Sequence, residues 1–532
     1  MTPMEYKRRR HSSFSEKPPI LANFFSVDTS GKPNVLSDTF LLPNFNIVPR
    51  TERPVLLIRK LKQCTCANPI VDDAASNSRT YAYCEMKRQA LMDILRYIEN
   101  PQLPSSSDRP LWTPEALVAF FRMFQANVFR PLPASGLESD GVDPAYYEPK
   151  LDHNWPILQP IYEIFLRVLV SPMDRKQFHR MLPPSFISKL IGQFSTEDTR
   201  ELDYLKTALH RIYVEATAYR PLIRRQMNAA IHTFMATSQP FSGIPEFLEI
   251  YSSIINGFSM PLKPEHASLF KQTLLPLHKA DNISSFSEQL LRCSVQMARF
   301  SGLLGVDIVS YLCRVFPQTC TAKAVFFLDE LECIAGVVAP DVYPAIAPML
   351  LKILPECIRS DNFRISDRAI AILNSEDLFL TRVLALFPGP MLDRLVHPLA
   401  YVILAHWNEG LAKPAAKALH RLIRVDPVGV YKRVRSFKEA AEACNESRVR
   451  SVENWATLLD QCAQSANARS SMVAHAKERA ALALPPAVIY NVTGDELEND
   501  LILDFSDSDS DSDIGERKRR KLSLLPYETA DV

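Results

Sequence analysis

Apolar side chains return along the middle of this chain at alternating intervals of three and four. Leu202, Leu205, Leu209, Ile212 and Ala216 follow that spacing, so they share one side of an α-helix. Ile223, Met227, Ala230 and Phe234 repeat it, and Leu269, Leu274 and Leu275 after Pro264 continue the apolar periodicity. Val325, Phe327, Leu328, Leu331 and Ile334 carry it further, as does the stretch VYPAIAPMLLKILPECI. Each periodic run spans roughly 12–18 residues, a helical length. No segment alternates apolar and polar residues as a half-buried strand would. Glycine is scarce (14) and proline frequent (40), the prolines falling mostly between the periodic runs.

Short amphipathic helices joined by proline-containing turns predict antiparallel helix pairs. One pair cannot bury its own apolar stripe, so pairs stack into an array. The expected fold class is all-α, a HEAT-like helical-repeat solenoid with disordered N- and C-terminal tails. A compact bundle is the rival, and the number of helices disfavours it. Residues 1–40, rich in Ser, Pro and basic side chains, read as a disordered basic arm. Residues 41–430 read as the solenoid, 431–484 as a C-terminal helical extension, and 485–532 as a disordered acidic/basic tail. In that tail Ser506, Ser508, Ser510 and Ser512 alternate with Asp507, Asp509, Asp511 and Asp513. Arg517, Lys518, Arg519, Arg520 and Lys521 follow as a basic block. The functional reading is a phosphorylatable acidic run beside a nuclear import signal, giving cytoplasm and nucleus as expected compartments. A solubilising tail is the alternative.

Composition narrows the function. Of 532 residues, 47% are hydrophobic and 23% charged, and the formal net charge is +1. A near-neutral total argues against coating nucleic acid or an anionic membrane, so electrostatic recognition must be local. No apolar run reaches bilayer length, and the N-terminal MTPMEYKRRRHSSFSEKPP lacks the apolar centre of a secretory segment. The ten cysteines are irregularly spaced and are expected to be reduced thiols of an intracellular protein. Cys64 and Cys66, with Cys84 downstream, lack a fourth ligand for zinc, so no metal or cofactor is expected. There is no glycine-rich phosphate loop, no H-E-x-x-H and no G-x-S-x-G. The acids of FFLDELE follow helical spacing and are expected to form a solvated face. An enzyme is therefore the least favoured class.

Against this background, one stretch concentrates cations. In LKTALHRIYVEATAYRPLIRRQMNAA, Lys206, His210, Arg211, Arg220, Arg224 and Arg225 face a single acid, Glu215. One helix is expected from Leu205 to about Ala218, with Lys206, His210 and Tyr213 sharing a face distinct from the apolar stripe. The next is expected to begin at Tyr219-Arg220-Pro221, because proline suits the first helical turn. Arg220 then stands at a helix N-terminus with Arg224 one turn on. Lys263 precedes Pro264 in the same way, with His266 in the first turn. Cations there oppose the helix dipole by a few tenths of a kcal/mol each, while the unpaired N–H groups favour an anion. Between these lies GIPEFLEIYSSIINGFSM, with Phe247, Leu248, Tyr251, Ile255 and Phe258 as a core stripe and Ile250 and Ile254 to its side. Two isoleucines, a tyrosine and several cations suit an extended peptide with apolar anchors and an acid. The alternative is a solvated surface with internal ion pairs to Glu215, Glu246, Glu249 and Glu265.

The text of these segments resembles the B-prime regulatory subunits of the type 2A serine/threonine protein phosphatase. YLKTALHRIY, IRRQ, SIINGFSMPLKPEH and LLPLHK carry the resemblance. LLIRKLKQC, NVFRPLP, EPKLDHNWPILQPIYEIFLRVL, STEDTRELDYLKT, FFLDELE and HWN extend it, in order, over roughly Leu41 to Gln464. The resemblance implies a non-catalytic HEAT-like protein that docks on the phosphatase's scaffold and catalytic subunits. It also implies that substrates or adaptors are held by a Leu-x-x-Ile-x-Glu motif, at His210, Arg211, Tyr213, Arg220, Arg224, Ile250, Ile254, Lys263 and His266. On that reading Tyr213, Ile250 and Ile254 meet the apolar anchors, and His210, Arg211, Arg220 and Lys263 take the glutamate. Arg224 and His266 meet added phosphate or acids. The chain departs from the family at Glu215 and Pro221, in the thin acidic stretch before Trp155, and at Leu373, where tryptophan is expected. These departures bear on docking to the two other subunits. A helical-repeat adaptor for nuclear transport or RNA is the competing class, disfavoured by the neutral total charge.

Overall fold

In a computed structural model, residues 42–66, 78–99, 112–132, 149–171, 180–237, 241–375 and 388–464 are described. The expected arm over 1–40, residues 465–484 and the tail over 485–532 lie outside these. Among the described residues all regular structure is helical, with no strand, which makes the fold all-α. The chain divides into two compact units, Met1–Glu246 and Phe247–Val532.

The first unit holds α1 (Arg53–Gln63), α2 (Ser78–Glu99), α3 (Pro114–Val128), α4 (Trp155–Val170), α5 (Pro184–Gly192), α6 (Thr199–Glu215) and α7 (Arg220–Thr237). Helices pair with the next but one along the chain: α1 on α3, α2 on α4, α4 on α6, α5 on α7. That alternation is the mark of a helical repeat. Its centre is aromatic. Phe120, Phe124, Phe165 and Phe186 are fully buried or nearly so, and Phe124 and Phe165 approach to 4.3 Å between ring centroids.

Beside this apolar centre stands a buried charge network. Arg130, just past α3, donates Nη2–H to Asp152 Oδ2 at 2.6 Å and Nη1–H to Glu201 Oε1 at 2.9 Å. Tyr162 of α4 donates its hydroxyl to the same Glu201 oxygen at 2.7 Å. Asp198 and Glu201 have the spacing of a capping box. Asp198 does cap α6, accepting from the Arg200 N–H, but Glu201 is fully buried and turned toward Arg130 instead.

Helix α8 (Ile244–Asn256) runs across the division between the units. The second unit continues with α9 (Pro264–Leu269), α10 (Ser287–Phe300), α11 (Gly302–Arg314), α12 (Thr321–Val337), α13 (Tyr343–Ile358), α14 (Phe363–Asn374), α15 (Pro388–Ala405), α16 (Ala412–Val425) and α17 (Pro427–Gln464). Contacts between α10 and α12, α12 and α14, and α14 and α16 form one layer. Contacts between α11 and α13, α13 and α15, and α15 and α17 form the other. Helix α17 runs on without a break past residue 430.

Three findings here differ from the sequence reading. Prolines are not confined to turns: Pro160 lies inside α4, Pro348 and Pro355 inside α13, and Pro398 inside α15. Each keeps the helical φ and forfeits one hydrogen bond. The acids of FFLDELE are not a solvated face. Asp329 and Glu332 of α12 both pair with Arg368 of α14. Glu330 is fully buried and accepts from His278 Nε2 at 2.9 Å. Finally, α6 begins at Thr199 and ends at Glu215, three residues short of the expected Ala218.

His278 also lies 2.7 Å from the Leu275 carbonyl through Nδ1. A carbonyl only accepts, so Nδ1 carries hydrogen, and the Glu330 oxygen facing Nε2 favours the doubly protonated ring. Burial alone would lower its pKa, but the Glu330 charge and the two hydrogen bonds raise it overall. A raised folded-state pKa contributes stability that is complete below about pH 6.5 and lost as pH rises through the raised value.

Two measurements check these networks. Arg130→Met leaves two carboxylates without their partner and is expected to cost about 3–5 kcal/mol in denaturant unfolding; surface Arg435→Ala is expected to change less than about 0.5 kcal/mol. Glu330→Gln is expected to destabilise most at pH 6, with the wild-type-minus-variant difference shrinking toward pH 9. A difference that grows with pH excludes the ionised pair.

Candidate peptide-binding site

The sequence places cations at helix starts, and the structure shows what the first of them does. Helix α6 ends at Glu215 with Ala216 as its cap, and a single 3₁₀ turn, Thr217–Tyr219, leads to Arg220 as the first residue of α7. So tight a turn brings the start of α7 beside the end of α6. Arg220 donates Nε–H to the Tyr213 carbonyl at 2.9 Å and Nη2–H to the Val214 carbonyl at 3.2 Å. These are carbonyls of the last turn of α6, which have no partner within the helix. The guanidinium thus sits at the negative end of the α6 dipole, where a cation is favoured. This local gain offsets the unfavourable position at the start of α7.

Tyr213 organises the same corner. The Arg220 guanidinium carbon lies 5.3 Å from its ring centroid, within cation–π range. Arg224, one turn into α7, donates Nη1–H to the Tyr213 hydroxyl at 2.9 Å. With its oxygen accepting from Arg224, the hydroxyl keeps its own hydrogen to donate. Among the described residues no carboxylate pairs with Arg211 or Arg220. His210 is half-buried on α6. Burial first, and the Arg211 charge second, lower its pKa below the ordinary 6.5, so it is a neutral ring at physiological pH. It offers an incoming glutamate a hydrogen bond rather than a full charge.

In the second unit, Ile250 and Ile254 are 2% and 6% exposed. They do not stand clear of the core as the stripe predicts. Helix α8 is enclosed on more than one face: Cys293 of α10 donates Sγ–H to the Leu248 carbonyl, and Gln296 binds Ser252 on that side. The two isoleucines, about 200° round a helix of 100° per residue, are covered as well. Lys263 caps α9 by position, is exposed and makes no side-chain cap bond. His266 stacks on Phe258, centroids 4.0 Å apart and planes 11° apart. The apolar stripe predicts Phe258 only as core; nothing in its spacing foretells the stack, because His266 lies beyond α8 in the next helix.

The nine expected residues therefore fall in two groups. His210, Arg211, Tyr213, Arg220 and Arg224 belong to the first unit, where Tyr213, Arg220 and Arg224 are brought into direct contact. Ile250, Ile254, Lys263 and His266 belong to the second. No group of three or more His, Cys, Asp or Glu among the described residues can hold a metal ion. Cys64, Cys66 and Cys84 are free thiols. Leu373, at the expected tryptophan position, is fully buried in α14, and Trp155 is buried beneath Arg200, 4.9 Å from its ring.

The corner presents ordered guanidinium groups around a tyrosine, in a protein built of paired helices. Comparison with known proteins defines the class further. The family described as protein phosphatase 2A regulatory B subunit (B56 family) matches residues 42–462. Among similar curated proteins is the B′ eta isoform of the 59 kDa regulatory subunit of serine/threonine protein phosphatase 2A from Arabidopsis thaliana. It is 32% identical over 429 residues, covering 78% of this chain and 80% of that one. The 57 kDa B′ alpha isoform from the same plant is 34% identical over 421 residues, covering 78% and 82%. The beta isoform of the 56 kDa regulatory subunit from Homo sapiens is 35% identical over 369 residues, covering 69% and 71%. The chain belongs to the B56 family of protein phosphatase 2A regulatory subunits, a regulatory family and not a catalytic one.

One variant separates the two roles of this corner. Tyr213→Phe removes the hydroxyl and nothing else, so the Arg224 bond is lost while the ring contact to Arg220 persists. Thermal unfolding is expected to move by less than about 1 kcal/mol, whereas Arg220→Ala uncaps α6 and is expected to cost about 1–2 kcal/mol. Equal losses for the two would show that Arg220 does not cap the helix.

Proposed function

We propose that this protein directs the phosphatase to its substrates by holding a Leu-x-x-Ile-x-Glu motif while it docks on the scaffold and catalytic subunits. The effect is positional: a tethered substrate meets the catalytic subunit at high effective concentration. The observation that carries the reading is the Arg220–Tyr213–Arg224 corner. Its guanidinium groups are fixed by carbonyls, a ring face and a hydroxyl, so a carboxylate entering there meets preformed donors. Tyr213 meets an apolar anchor through its ring; Ile250 and Ile254, covered in this structure, are assigned none. Arg211, Arg220 and His210 of the first unit take the motif glutamate. Arg224 and His266 meet phosphate or acidic side chains flanking the motif.

A carboxylate beside His210 favours its protonated form, so binding draws a proton onto a ring whose pKa is depressed in the free protein. Affinity therefore rises as pH falls from 7.5 toward 6, while the glutamate stays ionised.

Calorimetry with a synthetic motif peptide is expected to give a micromolar Kd, about 8 kcal/mol. Replacing the peptide glutamate with alanine, or Arg220 with glutamate, is expected to abolish binding. Tyr213→Phe is expected to weaken it about tenfold, or 1.4 kcal/mol, in a protein whose stability moves by less than about 1 kcal/mol. His210→Gln is expected to flatten the pH dependence. A peptide that binds the Arg220→Glu protein as tightly as wild type assigns the motif elsewhere. Affinity purification of the full chain is expected to recover a HEAT-repeat scaffold and a metallophosphatase; recovery of neither would refute the docking role.

A further inference from the structure

A marked charge asymmetry in the second unit lies on α16 and the start of α17. Between Lys413 and Lys438 the chain carries eight Lys or Arg and one acid, Asp426. On α16, Ala415, Ala418, Leu419 and Leu422 are buried. Lys413, Lys417, His420 and Arg424 are spaced four, three and four, which puts them in one stripe on the helix's other side. Lys417 and Arg424 are exposed, and so are Lys432 and Arg435 in the first turns of α17, which packs against α16. Among the described residues, Lys417, Arg424 and Lys432 have no ion-pair partner. Asp426 is engaged locally, accepting from the Gly429 N–H at 2.8 Å. Two apolar side chains interrupt the basic surface: Val425 is 51% and Val428 77% exposed.

The same chain carries the complement. Asp495 to Asp513 holds nine carboxylates and no Lys or Arg, with Leu501, Ile502, Leu503 and Phe505 in its centre. An acidic run with an apolar middle matches a basic surface with two bare valines, in sign and in order of chemistry. Reach is ample. From Lys438 to the end of α17 at Gln464 is 26 helical residues, about 39 Å at 1.5 Å each. The forty residues from there to Asp504 span up to about 130 Å when extended. Covalent connection also gives this occupant an advantage over any free partner, because its binding is intramolecular.

We propose that residues 495–513 dock on the basic stripe formed by α16 and the first turns of α17. The tail's own block, Arg517–Lys521, is the rival partner for these acids, and a polyanion such as RNA is the rival occupant of the stripe. The docked tail shields Lys417 and Lys432 from solvent and makes the stripe unavailable to other polyanions.

Zero-length carbodiimide coupling joins a carboxylate to a lysine amine and reads the contact on the full chain. Peptide mapping is expected to find Lys417 and Lys432 joined to acids between Asp504 and Asp513, at a yield independent of protein concentration. Arg424→Glu with Arg435→Glu leaves both reacting lysines in place and alters only exposed side chains. It is expected to cut the yield about tenfold, as is 1 M salt, where screening shortens to about 3 Å. Deleting residues 495–513 is expected to raise acetylation of Lys417 and Lys432 and to expose the stripe to a labelled RNA oligonucleotide. The proposal is overturned by coupling confined to Lys518 and Lys521, by coupling only between differently labelled copies, or by yields untouched in the double variant. RNA that binds the stripe equally with and without the tail also overturns it.

Discussion

The guanidinium of Arg130 is shared between Asp152 and Glu201, and the first unit is assembled around that sharing. Arg130 follows α3, Asp152 precedes α4 and Glu201 lies on α6, so one side chain ties three stretches of the repeat. Tyr162 of α4 adds a fourth tie through Glu201. Apolar stripes of Leu, Ile and Phe bind helices together with little preference for register, because one stripe resembles the next. A buried charge has no such tolerance: displaced by one turn it loses its partner and strands the other. The second unit repeats the device in His278 with Glu330, and in a half-exposed form in Arg368 with Asp329 and Glu332. We read these pairs as what fixes which helix lies on which.

The corner between α6 and α7 follows from a similar economy. Helix α6 must end somewhere, and its last carbonyls need donors. Supplying them from the first residue of α7 keeps the connection to one 3₁₀ turn and points an arginine where a dipole already holds it. Tyr213 then serves three purposes with one side chain: its carbonyl accepts from Arg220, its ring faces the same guanidinium and its hydroxyl accepts from Arg224. The cations that look misplaced along the sequence are placed correctly with respect to the neighbouring helix. The groups that cap α6 also hold the guanidinium charge in a fixed place.

How much of this the sequence discloses depends on range. The apolar stripe of α6, the start of α7 at Arg220-Pro221 and the start of α9 at Pro264 are legible because each is decided within a turn or two. The helical-repeat class is legible for the same reason, summed over many helices. What escapes is whatever a distant segment decides. Glu330 reads as solvated because its own helix does not reveal that His278 covers it. Ile250 and Ile254 read as spare because the faces enclosing α8 are set by other helices. Glu201 has the spacing of half a capping box, and only the fold shows it turned toward Arg130. Helix faces and family resemblance together single out the nine motif residues; their grouping into a contacting trio and two isoleucines under cover is a tertiary fact.

Pro348 and Pro355 stand seven residues apart inside α13. Seven residues are two turns less about 20°, so the two missing hydrogen bonds open on nearly the same side of the rod. Kinks on one side add, whereas kinks on opposite sides cancel. Helix α13 touches α11, α14 and α15, so any curvature it takes up is passed to neighbours in both layers. The spacing of two imino acids thus sets the direction in which this part of the stack most easily bends.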